Sequence, residues 1–263
     1  GHHPPPAEAA ARRGGQPESP TAMDFEDQSA FLVAVVTEIC SPPRVARVVL
    51  VGHSLGCLFA ARALEALDAE AQGLGTKVAS VLLMCPVMVR LDLVPRAAKM
   101  RARLRVARAL RVAPVVQLLA RVAPRGVAAL LHLIWWLRGK TSSGQGAEER
   151  RFWAVVVDHL RAGVLARAIS IGTEALETVR APGSWLDALR KRGGAVTLHF
   201  SESDGAAAGW TCPEVRAMLR SGELLPDAGR RFHRVPHGIV TNRAAARSMA
   251  ADVAREVAAH CGA

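Results

Sequence analysis

The apolar residues of this chain switch between two periods, and the switches mark its elements. From Met23 to Cys40, Phe25, Phe31, Leu32, Val35, Val36 and Ile39 fall near helical spacing, and Pro42-Pro43 ends the run. Val45–Val51 is instead an apolar, β-branched stretch, which predicts a strand. Leu55, Leu58, Phe59, Ala63, Ala66 and Leu67 return to the helical period and predict a helix over Leu55–Leu67. Lys77–Cys85 reads as a second strand, closed by Pro86. Farther along, the turn signal Gly193-Gly194 introduces a third strand, Ala195–Phe200, and Arg231–Val235 is a shorter fourth. Helical stretches at about Pro213–Arg220 and Arg243–His260 follow these two. Strands alternating with helices imply an α/β fold, a mostly parallel sheet with right-handed crossovers and helices on its faces.

The interval Pro86–Gly183 carries no convincing strand and predicts a helical insertion, a cap or lid. Gly1–Thr21, rich in Pro, Gly, Ala and Arg, reads as a flexible lead-in. The expected division is therefore a lead-in over 1–22, a core built from 23–86 and 184–263, and a cap over 87–183.

Composition refines this picture. At 263 residues, half of them hydrophobic, the chain can bury one sizeable α/β core. Its net charge is +11, and Arg90, Arg96, Lys99, Arg101, Arg103, Arg105, Arg108, Arg111, Arg121, Arg125, Arg138 and Lys140 crowd the insertion against Asp92. Val127–Leu137 is almost wholly apolar, ends in Trp135-Trp136-Leu137 and is followed by Arg138 and Lys140. Such a segment suits a lipid surface, and it suits equally a cap helix packed on a core with solvated arginines outside. Arg96, Arg103 and Arg111 fall close to the face of Met100 and Leu104, so the first cap helix is not cleanly amphipathic. No fold motif or aromatic platform for nucleic acid accompanies the cations, so no nucleic-acid partner is expected. The cysteines, Cys40, Cys57, Cys85, Cys212 and Cys261, show neither metal-ligand spacing nor a disulfide framework, so no metal or other cofactor is expected and a reducing compartment fits. No apolar run reaches the length needed to span a bilayer.

The candidate chemistry lies between the first strand and its helix, in Gly52-His53-Ser54-Leu55-Gly56. Gly-x-Ser-x-Gly at a strand-to-helix turn is a nucleophile elbow, with the serine on a strained bend that lifts its hydroxyl clear of the sheet. Both glycines are expected to make room where strand and helix approach closely. The Leu55 N–H, at the helix N-terminus, is placed to donate to an oxyanion forming beside Ser54. A serine needs a base, and the base an orienting carboxylate, in the chain order Ser, acid, His. Asp204 follows the third strand in Ser201-Glu-Ser-Asp-Gly205 and is favoured as the acid, with Glu202 its nearest rival. His237 follows the fourth strand in Val235-Pro-His-Gly238 and fits the base. His199 precedes the acid and His233 lies inside a strand, so neither suits that role; His53, His132, His159 and His260 are also less well placed.

With these residues assembled, the chain resembles the lipid-droplet-associated hydrolases, serine hydrolases of the α/β-hydrolase superfamily. The resemblance rests on Gly52-His-Ser-Leu-Gly-Cys57, Leu82-Leu-Met-Cys-Pro86, Ile171-Gly-Thr-Glu-Ala-Leu-Glu177, Trp210-Thr-Cys-Pro213 and Val235-Pro-His-Gly238, and runs from about Met23 to the last helix. It implies a hydrolase of neutral lipid esters, acting at a lipid droplet or the endoplasmic reticulum, with the cytosol as an alternative, and with Ser54, Asp204 and His237 as its triad. An acyltransferase or thioesterase could use the same residues, and a lipid-surface protein could carry them idle. The family places several strands before the nucleophile strand, whereas here a lead-in and one helix precede Val48, so the chain reads as N-terminally truncated. On that reading the nucleophile strand lies bare at a sheet edge.

Overall fold

The computed structural model describes residues 24–70, 73–94, 97–137, 147–201, 213–233 and 243–261. Two compact units emerge, a helical one around Arg101–Glu174 and an α/β one formed by Glu26–Met100 with the residues from Ala175 onward.

The α/β unit opens with helix α1 (Phe25–Cys40), followed by strand β1 (Val48–His53), helix α2 (Gly56–Ala69) and strand β2 (Val78–Met84). Its second part holds helix α8 (Trp185–Arg192), strand β3 (Val196–Ser201), helix α9 (Pro213–Ser221), strand β4 (Gly229–His233) and helix α10 (Arg243–Cys261). The strands pair in the order β1-β2-β3-β4, and every pair is parallel. This is the parallel α/β sheet expected from the alternation of elements.

Burial follows position in the sheet. Val81, Leu82 and Leu83 of β2 and Val196 and Leu198 of β3 are fully enclosed, as interior parallel strands covered on both faces must be. Leu58, Leu64 and Leu67 of α2 and Trp185, Leu186 and Leu189 of α8 are also buried, and these two helices pack together. At the sheet margins the side chains emerge. Val51 of β1 is 46% exposed, and so is Phe232 of β4, which stacks on Phe200 beneath the Arg220 guanidinium. Among the described residues β1 pairs with β2 alone.

Polar side chains tie the connections down. Lys77 Nζ donates to the carbonyls of Cys40 and Pro42, closing the end of α1. The Arg230 guanidinium donates to the carbonyls of Leu219, Leu225 and Ala228, which fixes the turn leading into β4. Arg216 of α9 donates to the carbonyl of Ser201 at 2.8 Å, where β3 ends.

Helices α3 (Ala97–Ala109), α4 (Val112–Val122), α5 (Pro124–Leu137), α6 (Ala147–Arg161) and α7 (Val164–Thr178) make up the insertion, and no strand occurs among its described residues. Around Ala120, Trp153 and Val157, α4, α5 and α6 pack on one another. Helix α5 bends away from α4 by 119° at a break where Pro124 opens the new helix. Val115, Leu118, Leu119 and Val122 share one face of α4, and each is about half or more exposed. Leu130, Leu133 and Ile134 of α5 continue the exposed apolar surface. No single helix among the described residues is long and apolar enough to cross a membrane.

Candidate active site

Ser54 occupies the turn between β1 and α2 with φ at 56°, a left-handed conformation that a serine seldom adopts. Its backbone is held from several sides. The Ser54 N–H donates to the carbonyl of Met84 at 2.9 Å, and its own carbonyl accepts from the N–H groups of Cys57 at 3.0 Å and Val87 at 3.3 Å. The strained residue is therefore over-determined by the ends of β1, β2 and α2 together. Its burial is intermediate, as is that of Leu55, which has helical φ/ψ as the N-cap of α2 and no side chain capping the helix.

The two flanking glycines differ. A Cβ on Gly52 would lie 2.7 Å from the Cα of Cys57 and 2.7 Å from the carbonyl oxygen of Gly56, both backbone atoms. At Gly56 a Cβ meets nothing within 4 Å among the described residues. The expectation that both positions exclude a side chain is thus right for Gly52 and wrong for Gly56. Position 56 opens the helix with an ordinary φ.

Parallel register carries all four strands to one edge of the sheet. His53 lies opposite Met84, Met84 opposite His199, and His199 opposite Arg231. Ser54 follows β1 at this edge, where ligands bind open α/β sheets. Asp204 comes in the chain shortly after β3 and His237 shortly after β4; both lie outside the described residues, as does Glu202. The structure thus describes Ser54 and Leu55 of the residues singled out.

Cys57, beside the elbow, is no rival nucleophile. It is fully buried, and burial pushes its thiol well above the usual range, the neighbouring Cys85 adding to the effect. Its Sγ–H donates to the Met84 carbonyl at 3.4 Å. Among the described residues no group of His, Cys, Asp and Glu could hold a metal ion.

A second cluster of titratable groups went unforeseen. His199 of β3 and His233 of β4, set aside as bases, stack with ring centroids 5.1 Å apart, and His199 Nδ1 lies 2.9 Å from His233 Nε2. Burial pushes both imidazoles below their ordinary value; Glu256 of α10 opposes this and Arg231 reinforces it. The only prior signal was two histidines on successive strands, and their register was not readable.

Comparison with known proteins places these features in context. The profile of a family described as lipid-droplet associated hydrolase matches residues 6–239. One similar solved structure comes from work on carboxylesterases of the ammonia-oxidizing thaumarchaeon Nitrososphaera gargenis. Identity is 15%, the match covers 92% of this chain and 75% of that one, and the TM-score is 0.46. Another is the crystal structure of DBJA, with 18% identity, 94% and 79% coverage and a TM-score of 0.43. No curated protein matches the chain.

Proposed function

We propose a serine-esterase function from one premise: this chain belongs to the family of lipid-droplet associated hydrolases. The observation that carries the proposal is the left-handed Ser54, held at the strand-to-helix turn beside a glycine with no room for a side chain. A fold that keeps this strain at a half-buried serine has a use for it.

In this reading Ser54 Oγ attacks the carbonyl carbon of a neutral lipid ester, of acylglycerol or sterol-ester type. His237 takes the hydroxyl proton and is oriented by Asp204. The carbonyl oxygen becomes an oxyanion facing the Leu55 N–H at the start of α2. Collapse expels the alcohol, which receives the proton from His237 and leaves an acyl-Ser54. Water, deprotonated by His237, then attacks the acyl carbon. The fatty acid departs and Ser54 regains its proton. No cofactor takes part.

The second half of the proposal is a lipid surface as the place of work, a droplet or the endoplasmic reticulum. It is supported by the exposed stripe Val115, Leu118, Leu119 and Val122 on α4 and its continuation on α5, with Arg111, Arg121 and Arg125 close by in the chain. Apolar side chains flanked by cations match the boundary between acyl chains and anionic headgroups. The Trp135 and Trp136 side chains, singled out for this role, lie outside those described.

The test is a fluorophosphonate probe followed by peptide mapping. Modification at Ser54, lost in Ser54→Ala and prevented by a hydrolysable long-chain ester, is the expected result. Absence of labelling in folded protein overturns the enzyme reading.

A further inference from the structure

The buried histidine pair belongs to a longer chain that crosses from the sheet to α10. His199 Nε2 lies 3.6 Å from Glu256 Oε2 and His233 Nδ1 lies 3.3 Å from Asp252 Oδ2. With the 2.9 Å contact between the rings, the order is Glu256, His199, His233, Asp252, joined at three junctions. Both rings are almost wholly enclosed, at 0% and 8% exposure.

Counting protons decides what this chain can do. Each junction needs one proton between two acceptor lone pairs, while two neutral imidazoles carry one N–H each. Wherever those protons sit, one junction is left empty. The structure identifies which. His199 Nε2 and Glu256 Oε2 are both buried without a hydrogen-bond partner, and they face each other across the longest of the gaps. With that junction empty, the two ring protons belong at the others, His199 Nδ1–H on His233 Nε2 and His233 Nδ1–H facing Asp252. A lone pair of His199 Nε2 then confronts a carboxylate oxygen, a repulsive and desolvated contact.

The surroundings favour filling that gap on the ring. Arg231 Nε lies 3.3 Å from Glu256 Oε1, and Arg255 pairs with Asp252, so each carboxylate has a cationic partner. From the β2 side, Cys85 packs with Met249 and Met84 and brings no charge.

We propose that Glu256, His199, His233 and Asp252, which join α10 to strands β3 and β4, form a binding site for a single proton, which enters between His199 Nε2 and Glu256 Oε2. The proton completes an unbroken run of N–H donors from carboxylate to carboxylate. Because burial disfavours the charged ring, the proton enters on mild acidification, below the usual histidine range. A second proton finds no free acceptor on either ring, so uptake stops at one. The site is independent of whether Ser54 hydrolyses esters.

An amide can supply the missing donor without any proton. In Glu256→Gln the side-chain NH2 donates to His199 Nε2 and the existing tautomers stay. In Asp252→Asn the amide donates to His233 Nδ1, both imidazoles switch tautomer, and His199 Nε2–H donates to Glu256. With both changes one amide can turn its carbonyl oxygen to the adjoining ring N–H, so the run of donors still closes. A single amide is therefore enough to fill the chain.

The test uses full-length protein with labelled histidine, its ring resonances followed between about pH 5 and 8.5 and assigned by His199→Asn and His233→Gln. In the natural sequence both rings should move together and share one proton; in each single amide variant neither should move in that range. At pH 8 each single variant should melt at or above the natural protein. Independent titration of the rings, unchanged titration in a single variant, or single variants that both melt below the natural protein overturns the proposal.

Discussion

The Cα of Cys57 stands 2.7 Å from where a Cβ on Gly52 would lie, while the same atom on Gly56 would meet no described neighbour within 4 Å. The two glycines of one motif are thus unequal. Gly52→Ala forces backbone apart at the junction of β1 and α2, at a cost of about 1–3 kcal/mol, and displaces Ser54. Gly56→Ala stays within about 1 kcal/mol of the original and can gain from better helix propensity. Chemical denaturation of both variants, with probe labelling of Ser54, checks this; equal effects would contradict it.

On the proposed function Ser54 carries its strain for the sake of its hydroxyl. Ser54→Gly removes the left-handed penalty and should stabilise the fold by about 1 kcal/mol, while Ser54→Ala keeps the strain. Both should lower ester hydrolysis by about 10⁴-fold or more, since no other group supplies the nucleophile. Thermal melts set beside turnover of a short-chain ester separate the two effects, and a Ser54→Gly protein less stable than Ser54→Ala would count against the account.

The apolar stripe on α4 and α5 can be tested without touching the chemistry. Leu118 and Leu133 are 60% and 48% exposed, so changing them to Ser removes little internal packing. Each change should weaken partition to anionic phospholipid vesicles or triacylglycerol emulsions by about tenfold, with the melting temperature unmoved. Flotation assays read this directly. Undiminished flotation of the double variant would remove the lipid-surface half of the proposal.

Acid should loosen the fold before the carboxylates titrate. The folded-state values of His199 and His233 are depressed, so the unfolded chain takes up protons first as pH falls through about 6.5. The stability these rings contribute is whole above that pH and is lost as pH falls toward their folded values. Urea midpoints should therefore decline from pH 7.5 to 5.5, and His233→Gln should flatten the decline. A midpoint that rises with acid over this window would reverse the sign and refute the point.

Much of the fold was legible because the strands that matter are apolar runs closed by Gly or Pro. Residues 78–84 fall inside the expected strand, and α2 begins at Gly56 beside the expected Leu55. Margins were less so. Strand β1 starts at Val48 rather than Val45 because the Val45 N–H turns back to the Pro42 carbonyl, and it continues to His53 because pairing with β2 does. Strand β4 begins at Gly229 rather than Arg231 because its pairing with β3 does, and Phe232 finds its partners in Phe200 and Arg220. The stripe on α4 has the periodicity of a core-facing helix, and periodicity alone does not say what a face meets. Strand register was unreadable too, and it alone joins His199 to His233.

Ser54 hangs its N–H on the end of β2 rather than on its own strand. Reactivity toward a small electrophile should then survive heating until β1 and β2 part. Thermal inactivation and loss of tertiary structure would share one midpoint, with no earlier phase in which a folded protein has gone silent.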